Sequence, residues 1–226
     1  MSKPIVIALG EILWDMLPTG KRAGGAPVNF AYHASQNGAE SYAISAVGND
    51  ELGAELLNDA HKAGINTLVQ TNEYPDRHRR RGTDQRHSGI HHRAERGLGP
   101  HRLHRRTRRG RVQGRRLCFG TLGLRSQESH DTIIKLLQHA KEGALKFFDI
   151  NLRANFYSKE LIEELLGYAN IFKINDDELI MMREMFSIPE GNDEEACKWF
   201  MDRFDLEYII LTGGATFSTI IAKDGE

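Results

Sequence analysis

The side chains best suited to binding chemistry lie close together near the start of the chain. Asp15 is followed by the glycine pair Gly24 and Gly25, by Pro27 and then by Asn29. An ionised aspartate is acceptor-only and can hold two hydroxyl groups, whereas an asparagine side chain both donates and accepts. Two glycines let a ligand approach the backbone where a Cβ would block it. The set predicts a site for a polyhydroxy ligand such as a sugar, although a capped turn between a strand and a helix would explain the glycines alone.

Three later segments carry further polar side chains at the ends of apolar runs. Asp149, Asn151 and Arg153 follow one such run, Asn175 and Glu178 follow the next, and Thr212 with Gly214 follows a third. Ligands of open α/β sheets bind beyond the carboxyl ends of strands, so these positions favour function. A surface ion pair would also explain the first segment. An Asn175 cap with Glu178 as its capping-box partner would be sufficient for the second.

The elements that position these residues alternate between strand and helix. Residues 5–9 form a continuous apolar run, which is typical of a strand buried on both faces of a parallel sheet. The pattern then predicts helices over 27–37, 50–63, 128–140, 175–186 and 194–204, and strands over 41–47, 67–71, 117–120, 144–150, 171–174, 208–211 and 216–222. We therefore predict one α/β domain, a doubly wound, mainly parallel sheet with helices on both faces. The first strand lacks a following G-x-G-x-x-G segment, which argues against a dinucleotide-binding fold.

Composition restricts the cellular setting. Two cysteines, Cys118 and Cys197, lie far apart in 226 residues, which favours a reducing compartment without a disulfide framework. The apolar run of residues 5–9 is too short for a secretory or membrane-spanning segment. We therefore expect a cytoplasmic protein that does not enter membranes.

The balanced net charge of −1 conceals an unusual segment. Residues 76–116 hold 15 Arg, no Lys and only three acidic residues, which leaves 15 basic and 28 acidic residues elsewhere. The segment has no aromatic residue and too few aliphatic residues for a core. It is a basic nucleic-acid-binding loop, a disordered insert or the product of a frameshift, and we favour the frameshift.

The argument for the frameshift uses the genetic code. Residues 76–81 can be encoded as GAC CGG CAC CGT CGA CGT, and the same bases read one nucleotide later give Thr-Gly-Thr-Val-Asp-Val. The same offset yields strand-like or helix-like strings from residues 89–101 and 103–107. Under this hypothesis the Arg-rich segment has no evolved role, and nucleic acid is not an expected partner.

The strings IVIALGEILWD, GGAPVNFA and AVGND together resemble the N-terminal half of PfkB/ribokinase-family sugar kinases, with bacterial fructokinases as the nearest match. The resemblance covers residues 4–75 and 117–226. It implies a ribokinase-like fold whose β lid is disrupted by the Arg-rich segment, and ATP-dependent phosphorylation of a sugar hydroxyl, with fructose favoured. A homodimer of the intact parent stays an open alternative.

The resemblance also implies roles for individual residues. Sugar contacts fall to Asp15, Gly24, Gly25 and Asn29, and the Asp149, Asn151 and Arg153 string shapes the sugar and phosphoryl site, with Arg153 assisting catalysis. Asn175 and Glu178 arrange Mg²⁺ and its waters near ATP, so that Glu178 acts on the metal through water. Thr212 and Gly214 lie beside the nucleotide. Phe217 replaces a glycine that is common in the wider family.

The family's catalytic segment, Asp-Thr-x-Gly-Ala-Gly-Asp, has no match in the 226 residues. Its last aspartate is the base that accepts the proton of the sugar hydroxyl, and its glycines stabilise the transferring phosphoryl group. We therefore expect an incomplete domain spanning 1–226 that is inactive or nearly so. The alternatives are a sugar-binding remnant without turnover or, less favoured, a nucleic-acid binder.

Overall fold

The computed structural model describes residues 3–18, 20–72, 78–80 and 116–224. Eleven strands lie in these ranges: β1 Ile5–Leu9, β2 Leu13–Leu17, β3 Gly20–Gly24, β4 Glu40–Gly48, β5 Ile65–Asn72, β6 His78–Arg80, β7 Arg116–Phe119, β8 Leu145–Asp149, β9 Ile171–Asn175, β10 Tyr208–Gly213 and β11 Phe217–Ala222. Six α-helices lie between them: α1 Ala26–Gln36, α2 Glu51–Lys62, α3 Gln127–Gln138, α4 Lys159–Leu166, α5 Asp176–Phe186 and α6 Asp193–Phe204. A 3₁₀ turn covers Thr121–Leu124.

Eight strands form the main sheet in the order β11-β10-β9-β8-β7-β1-β4-β5. Every neighbouring pair is parallel except β10 with β11. The predicted doubly wound, mainly parallel sheet is thus confirmed. Because all strands of this sheet except β11 run the same way, their carboxyl ends lie at one edge, which we call the carboxyl edge.

Helices cover both faces of this sheet. Along β1, Ala8 belongs to a buried cluster that includes Val28 of α1 and Leu56 of α2. Its neighbours Ile7 and Leu9 belong to the larger cluster built with α3, α4, α5 and α6. Successive side chains of a strand point to opposite faces, so β1 is buried from both sides, as its continuous apolar sequence predicts.

A row of aromatic rings runs through the larger cluster. Phe119, Phe148 and Phe172 lie on the neighbouring strands β7, β8 and β9, with ring centroids 5.4 and 5.6 Å apart. Phe200 of α6 continues the row at 5.7 Å from Phe172. All four rings are completely buried, so this row fixes the strands whose carboxyl ends carry the later polar segments.

A second sheet has the strand order β3-β2-β6. β2 pairs antiparallel with β3 and parallel with β6. Neither the β2–β3 hairpin nor α4 was among the predicted elements. β6 belongs to the Arg-rich segment. Apart from His78–Arg80 and Arg116, that segment lies outside the described residues. The prediction of a disrupted β lid concerns mostly the same residues and therefore also lies outside them.

The other predicted elements are present, with ends that differ by one or two residues in most cases. The helix predicted from Pro27 begins at Ala26, so that Gly25 is its N-cap and Pro27 its second residue. Asp50, where the second predicted helix begins, is the N-cap of α2, and its carboxylate accepts the Gly53 N–H at 2.8 Å. In the ranges that the structure describes, no helix has the length and apolar character needed to cross a membrane.

Candidate functional site

The glycine pair lies where β3 passes into α1. A Cβ on Gly24 would come within 2.6 Å of Asp15 Oδ2, so this glycine lets the carboxylate of β2 lie directly against the backbone. Gly25 has a φ of +116°, and a Cβ there would overlap with the backbone oxygen of Glu11. Gly25 therefore requires glycine for both conformation and contact, whereas a Cβ on Gly24 would displace the Asp15 carboxylate from its place.

Asn29 lies one turn into α1. Its backbone N–H donates to the Gly25 carbonyl at 2.9 Å, which fixes the residue relative to the glycine turn. The Asn29 side chain is exposed and Asp15 is half-buried. The structure thus groups Asp15, Gly24, Gly25 and Asn29 around the start of α1, with polar groups able to meet a hydroxylated ligand. We call these four residues the hydroxyl group set, because they are the candidate contacts for the hydroxyl groups of a ligand.

Asp149 ends β8 and faces Lys173 of β9. The two residues are in register, and Lys173 Nζ donates to Asp149 Oδ1 at 3.1 Å. Burial raises the pKa of the Asp149 carboxyl, and the opposing effect of Lys173 does not cancel it. The charge of Arg153 acts in the same direction as that of Lys173, so Arg153 lies within electrostatic reach of this carboxylate.

The backbone after Asp149 is unusually bent. Asn151 and Ala154 have φ values of 40° and 49°, in the left-handed region that side chains other than glycine seldom occupy. Arg153 Nη1 donates to the Leu152 carbonyl at 2.7 Å, which holds its side chain against the bend. Such strained segments persist where the surroundings fix them, and they cluster at binding sites.

Glu178 ties this bent segment to the next turn of the sheet. The predicted capping box is present: Asn175 Oδ1 accepts the Glu178 N–H at 2.8 Å, and Glu178 Oε2 accepts the Asn175 N–H at 3.1 Å. In addition, Glu178 Oε1 accepts the Leu152 N–H at 2.9 Å. Burial raises the pKa of the Glu178 carboxyl. One side chain therefore fixes both the start of α5 and the segment that carries Arg153.

The third polar segment joins through β10. Thr212 is in register with Asn175 of β9 and with Ser218 of β11. Gly214 follows with a φ of +55° and open space where its Cβ would be. The Phe217 ring packs onto Gly213 and leaves no room for a Cβ there. Thr212 and Gly214 thus lie beside the α5 start, but two strands away from Asp149.

One buried residue beside the hydroxyl group set was missed by the sequence reasoning. Glu11 is 3% exposed, and its Oε1 accepts the Ala26 N–H at 3.2 Å beside the glycine turn. Its charge interacts with that of Asp149. A charged residue two positions after a fully apolar strand was the signal that could have identified it.

The acidic side chains can be tested against the magnesium expectation. Among residues 3–18, 20–72, 78–80 and 116–224, no cluster of three or more His, Cys, Asp or Glu side chains could hold a metal directly. Asp149 and Glu178 nevertheless repel each other electrostatically, and both Glu178 oxygens already accept backbone N–H groups. Each Glu178 oxygen has a second lone pair, so this carboxylate could orient the water shell of a cation such as Mg²⁺, the role that the resemblance implies for it.

Solved structures share the fold. The uncharacterized sugar kinase of Pyrococcus horikoshii superposes with a TM-score of 0.73 at 21% identity, over 97% of this chain and 77% of that one. Fructokinase of Xylella fastidiosa with bound ATP gives a TM-score of 0.77 at 16% identity, over 99% and 72%. Fructokinase of Vibrio cholerae, bound to fructose, ADP and calcium, gives 0.76 at 19% identity, over 98% and 74%.

Sequence comparison gives the same assignment. The P. horikoshii sugar kinase is 24% identical over 207 residues, and the match covers 79% of this chain but 64% of that protein's length. Residues 17–226 match the description "pfkB family carbohydrate kinase". This match spans most of the 226 residues, so the chain belongs to the pfkB family of carbohydrate kinases.

Proposed function

We propose that this fold serves the ATP-dependent phosphorylation of a sugar hydroxyl, with fructose as the favoured sugar. The observation that carries the proposal is the contact between the Asp15 carboxylate and Gly24 at the start of α1. This contact leaves an acceptor beside bare backbone, which suits a ligand with several hydroxyl groups. Family membership and structural neighbours named as fructokinases support the choice of fructose.

On the sugar side, Asp15 would accept hydrogen bonds from two hydroxyl groups of one sugar. Asn29 would add a donor and an acceptor from its exposed amide, and Gly24 and Gly25 would let the ring approach the backbone. Arg153, with Asp149 and Asn151 shaping its surroundings, would hold the phosphoryl group or the sugar from the carboxyl edge. A fixed guanidinium favours such anions because it can form parallel hydrogen bonds to them.

On the nucleotide side, Thr212 and Gly214 would border ATP. Asn175 and Glu178 would orient the water shell of Mg²⁺. When bound, ATP supplies the phosphoryl group, and the metal offsets its charge. The residues of this chain would then act by position: phosphoryl transfer depends mainly on alignment and charge stabilisation. Two buried free cysteines support a reducing, cytoplasmic setting for this function. We extend the proposal to a homodimer of the intact parent.

We further propose that the 226 residues alone bind sugar without efficient turnover. None of them forms the Asp-Thr-x-Gly-Ala-Gly-Asp segment that supplies the base in the family. The second candidate function is therefore a sugar-binding remnant. A nucleic-acid binder is less favoured, because its support is the composition of residues 76–116 alone and the family match outweighs it.

A paired assay on the 226-residue chain tests this proposal. Calorimetric titration with fructose should show binding, while incubation with ATP, Mg²⁺ and fructose should yield no phosphorylated sugar above background. Robust turnover would refute the claim that the chain is inactive. A chain that is folded by circular dichroism but binds neither fructose nor a related sugar would refute the sugar site itself.

A further inference from the structure

Glu11 has no role in the function proposed above, yet it is the most deeply buried acidic residue near the site. It lies between β1 and β2, with 3% of its surface exposed. Its Oε1 accepts the Ala26 N–H at 3.2 Å. Ala26 is the first residue of α1, and the first four N–H groups of a helix have no partner within the helix. Glu11 therefore supplies from outside the helix an acceptor that α1 lacks, since Gly25 has no side chain to do so.

Glu11 also fixes the turn through its backbone. Gly25 packs directly on the Glu11 carbonyl, without room for a Cβ. Asn29 is in turn held by its N–H bond to the Gly25 carbonyl at 2.9 Å. A shift of Glu11 would therefore be passed through Gly25 to Asn29, the exposed amide of the hydroxyl group set.

Two charged residues from other parts of the fold act electrostatically on Glu11. Arg125 attracts the carboxylate and Asp149 repels it, while burial is the largest influence and raises the pKa of Glu11. The N–H groups of Glu11 itself and of Ala26 favour the charged form of this carboxyl and so oppose the effect of burial.

Arg125 continues the contact towards the segment that carries Arg153. Its guanidinium lies 5.3 Å from the centroid of the Phe156 ring, a distance typical of a cation–π contact. The Phe156 N–H donates to the Arg153 carbonyl at 3.2 Å. Contacts thus run from Arg125 through Phe156 to Arg153, and electrostatic attraction links Arg125 to the Glu11 carboxylate that binds Ala26.

We propose that Glu11 is a positioning residue that sets the glycine turn and Asn29 relative to the Asp149–Arg153 segment. This inference rests on the proposed function, because it assumes that both parts contact one sugar. It goes beyond that function by assigning the alignment of the two parts to a single buried carboxyl group. A carboxyl that only capped α1 would leave residues 150–156 unaffected when it is removed.

The test uses three variants of the 226-residue chain. Glu11→Ala removes the acceptor, and Glu11→Gln keeps an amide oxygen for the Ala26 N–H. Ser158→Ala is the matched control, because the Ser158 hydroxyl accepts the Leu161 N–H at 3.2 Å and caps α4 in the same manner. Each variant is titrated with fructose, and backbone amide hydrogen exchange is followed in residues 26–29 and 150–156.

We expect Glu11→Ala to weaken fructose binding about tenfold, the factor that corresponds to one lost hydrogen bond of typical strength. Exchange should accelerate in both segments. Glu11→Gln keeps an acceptor for the Ala26 N–H but removes the charge that attracts Arg125, so exchange should accelerate in residues 150–156 and not in residues 26–29. Ser158→Ala should change neither fructose affinity nor exchange in these two segments.

Two results would overturn the inference. The first is a Glu11→Ala variant that binds fructose like the unsubstituted chain. The second is faster exchange confined to residues 26–29, which would reduce Glu11 to a local cap. If the unsubstituted chain binds no fructose, the proposed function fails on its own, and the exchange in residues 150–156 still decides whether Glu11 positions that segment.

Discussion

Glu178 can be tested for its contribution to stability, with Glu195 as a control in the same structural position. The part of the chain that the structure describes contains two capping boxes, Asn175 with Glu178 on α5 and Asn192 with Glu195 on α6. In both, the glutamate accepts the N–H of its N-cap residue, at 3.1 and 2.8 Å. Glu195 is exposed, whereas Glu178 is 5% exposed and also accepts the Leu152 N–H at 2.9 Å. Replacing each glutamate by alanine therefore separates the contribution of the capping box, which both share, from that of the hydrogen bond between Glu178 and Leu152.

The expected magnitudes follow from these contacts. Glu195→Ala removes one exposed hydrogen bond and should lower the free energy of unfolding by about 0.5–1 kcal/mol. Glu178→Ala leaves the Asn175 and Leu152 N–H groups without their acceptor, at about 1–3 kcal/mol for each buried group. Because burial also disfavours the ionised Glu178, its removal recovers part of this loss. We expect a net loss of about 2–4 kcal/mol, well above that of the control.

Urea unfolding followed by far-ultraviolet circular dichroism gives both free energies under the same conditions. Equal losses in the two variants would refute the reasoning, because they would show that the bond to Leu152 contributes nothing beyond an ordinary capping box. A Glu178→Gln variant adds a check. Its amide can replace only one of the two acceptor oxygens, so its stability should lie between those of the alanine variant and the unsubstituted chain.

Three further substitutions test other parts of the structure by the same unfolding measurement. Gly25 has a φ of +116° and lies against a backbone oxygen, so Gly25→Ala should lower the free energy of unfolding by about 3 kcal/mol or more. Gly143 has a φ of +71° and open space around it, so Gly143→Ala should lower it by about 1 kcal/mol. Equal losses would contradict the close packing at Gly25. Lys173→Met leaves Asp149 without its ion-pair partner at 3.1 Å and should cost about 1–3 kcal/mol, much of which an added Asp149→Asn should restore. Burial opposes the charged form of His130, but its carboxylate partners Glu164 and Asp131 raise its pKa overall. The stabilising contribution of His130 is therefore full below the unfolded pKa of about 6.5 and is lost as pH rises through the folded pKa. His130→Gln should remove this loss, about 0.5 kcal/mol for such an exposed pair; an unchanged pH dependence would contradict the assignment.

The fold was largely predictable because its determinants are local. The apolar run of β1, the Asp50 cap of α2 and the Asn175–Glu178 capping box are all read within a few residues of the chain, and all are present. The β2–β3 hairpin was missed because β3, with the sequence GKRAG, has no β-branched or aromatic residue. Its strand conformation comes from pairing with β2, which a single segment does not reveal.

The candidate site was predictable in its parts but not in its connections. The sequence placed Glu178 correctly as a capping partner, yet its second bond reaches Leu152, 26 residues away. That bond depends on β8 and β9 lying side by side in register. Glu11 was missed for a similar reason, since it bonds to Ala26 and is influenced by the charges of Arg125 and Asp149, which lie in three separate parts of the chain.

The central claim is that the hydroxyl group set and the Asp149–Arg153 segment serve one sugar. Fructose titration of Asp15→Ala, Arg153→Ala and the double variant tests it most directly. Each single variant should bind at least about tenfold more weakly, the effect of losing one hydrogen bond to a charged group, and the double variant should not show the sum of the two losses. An Asp15 variant or an Arg153 variant that binds fructose as tightly as the unsubstituted chain would contradict the account.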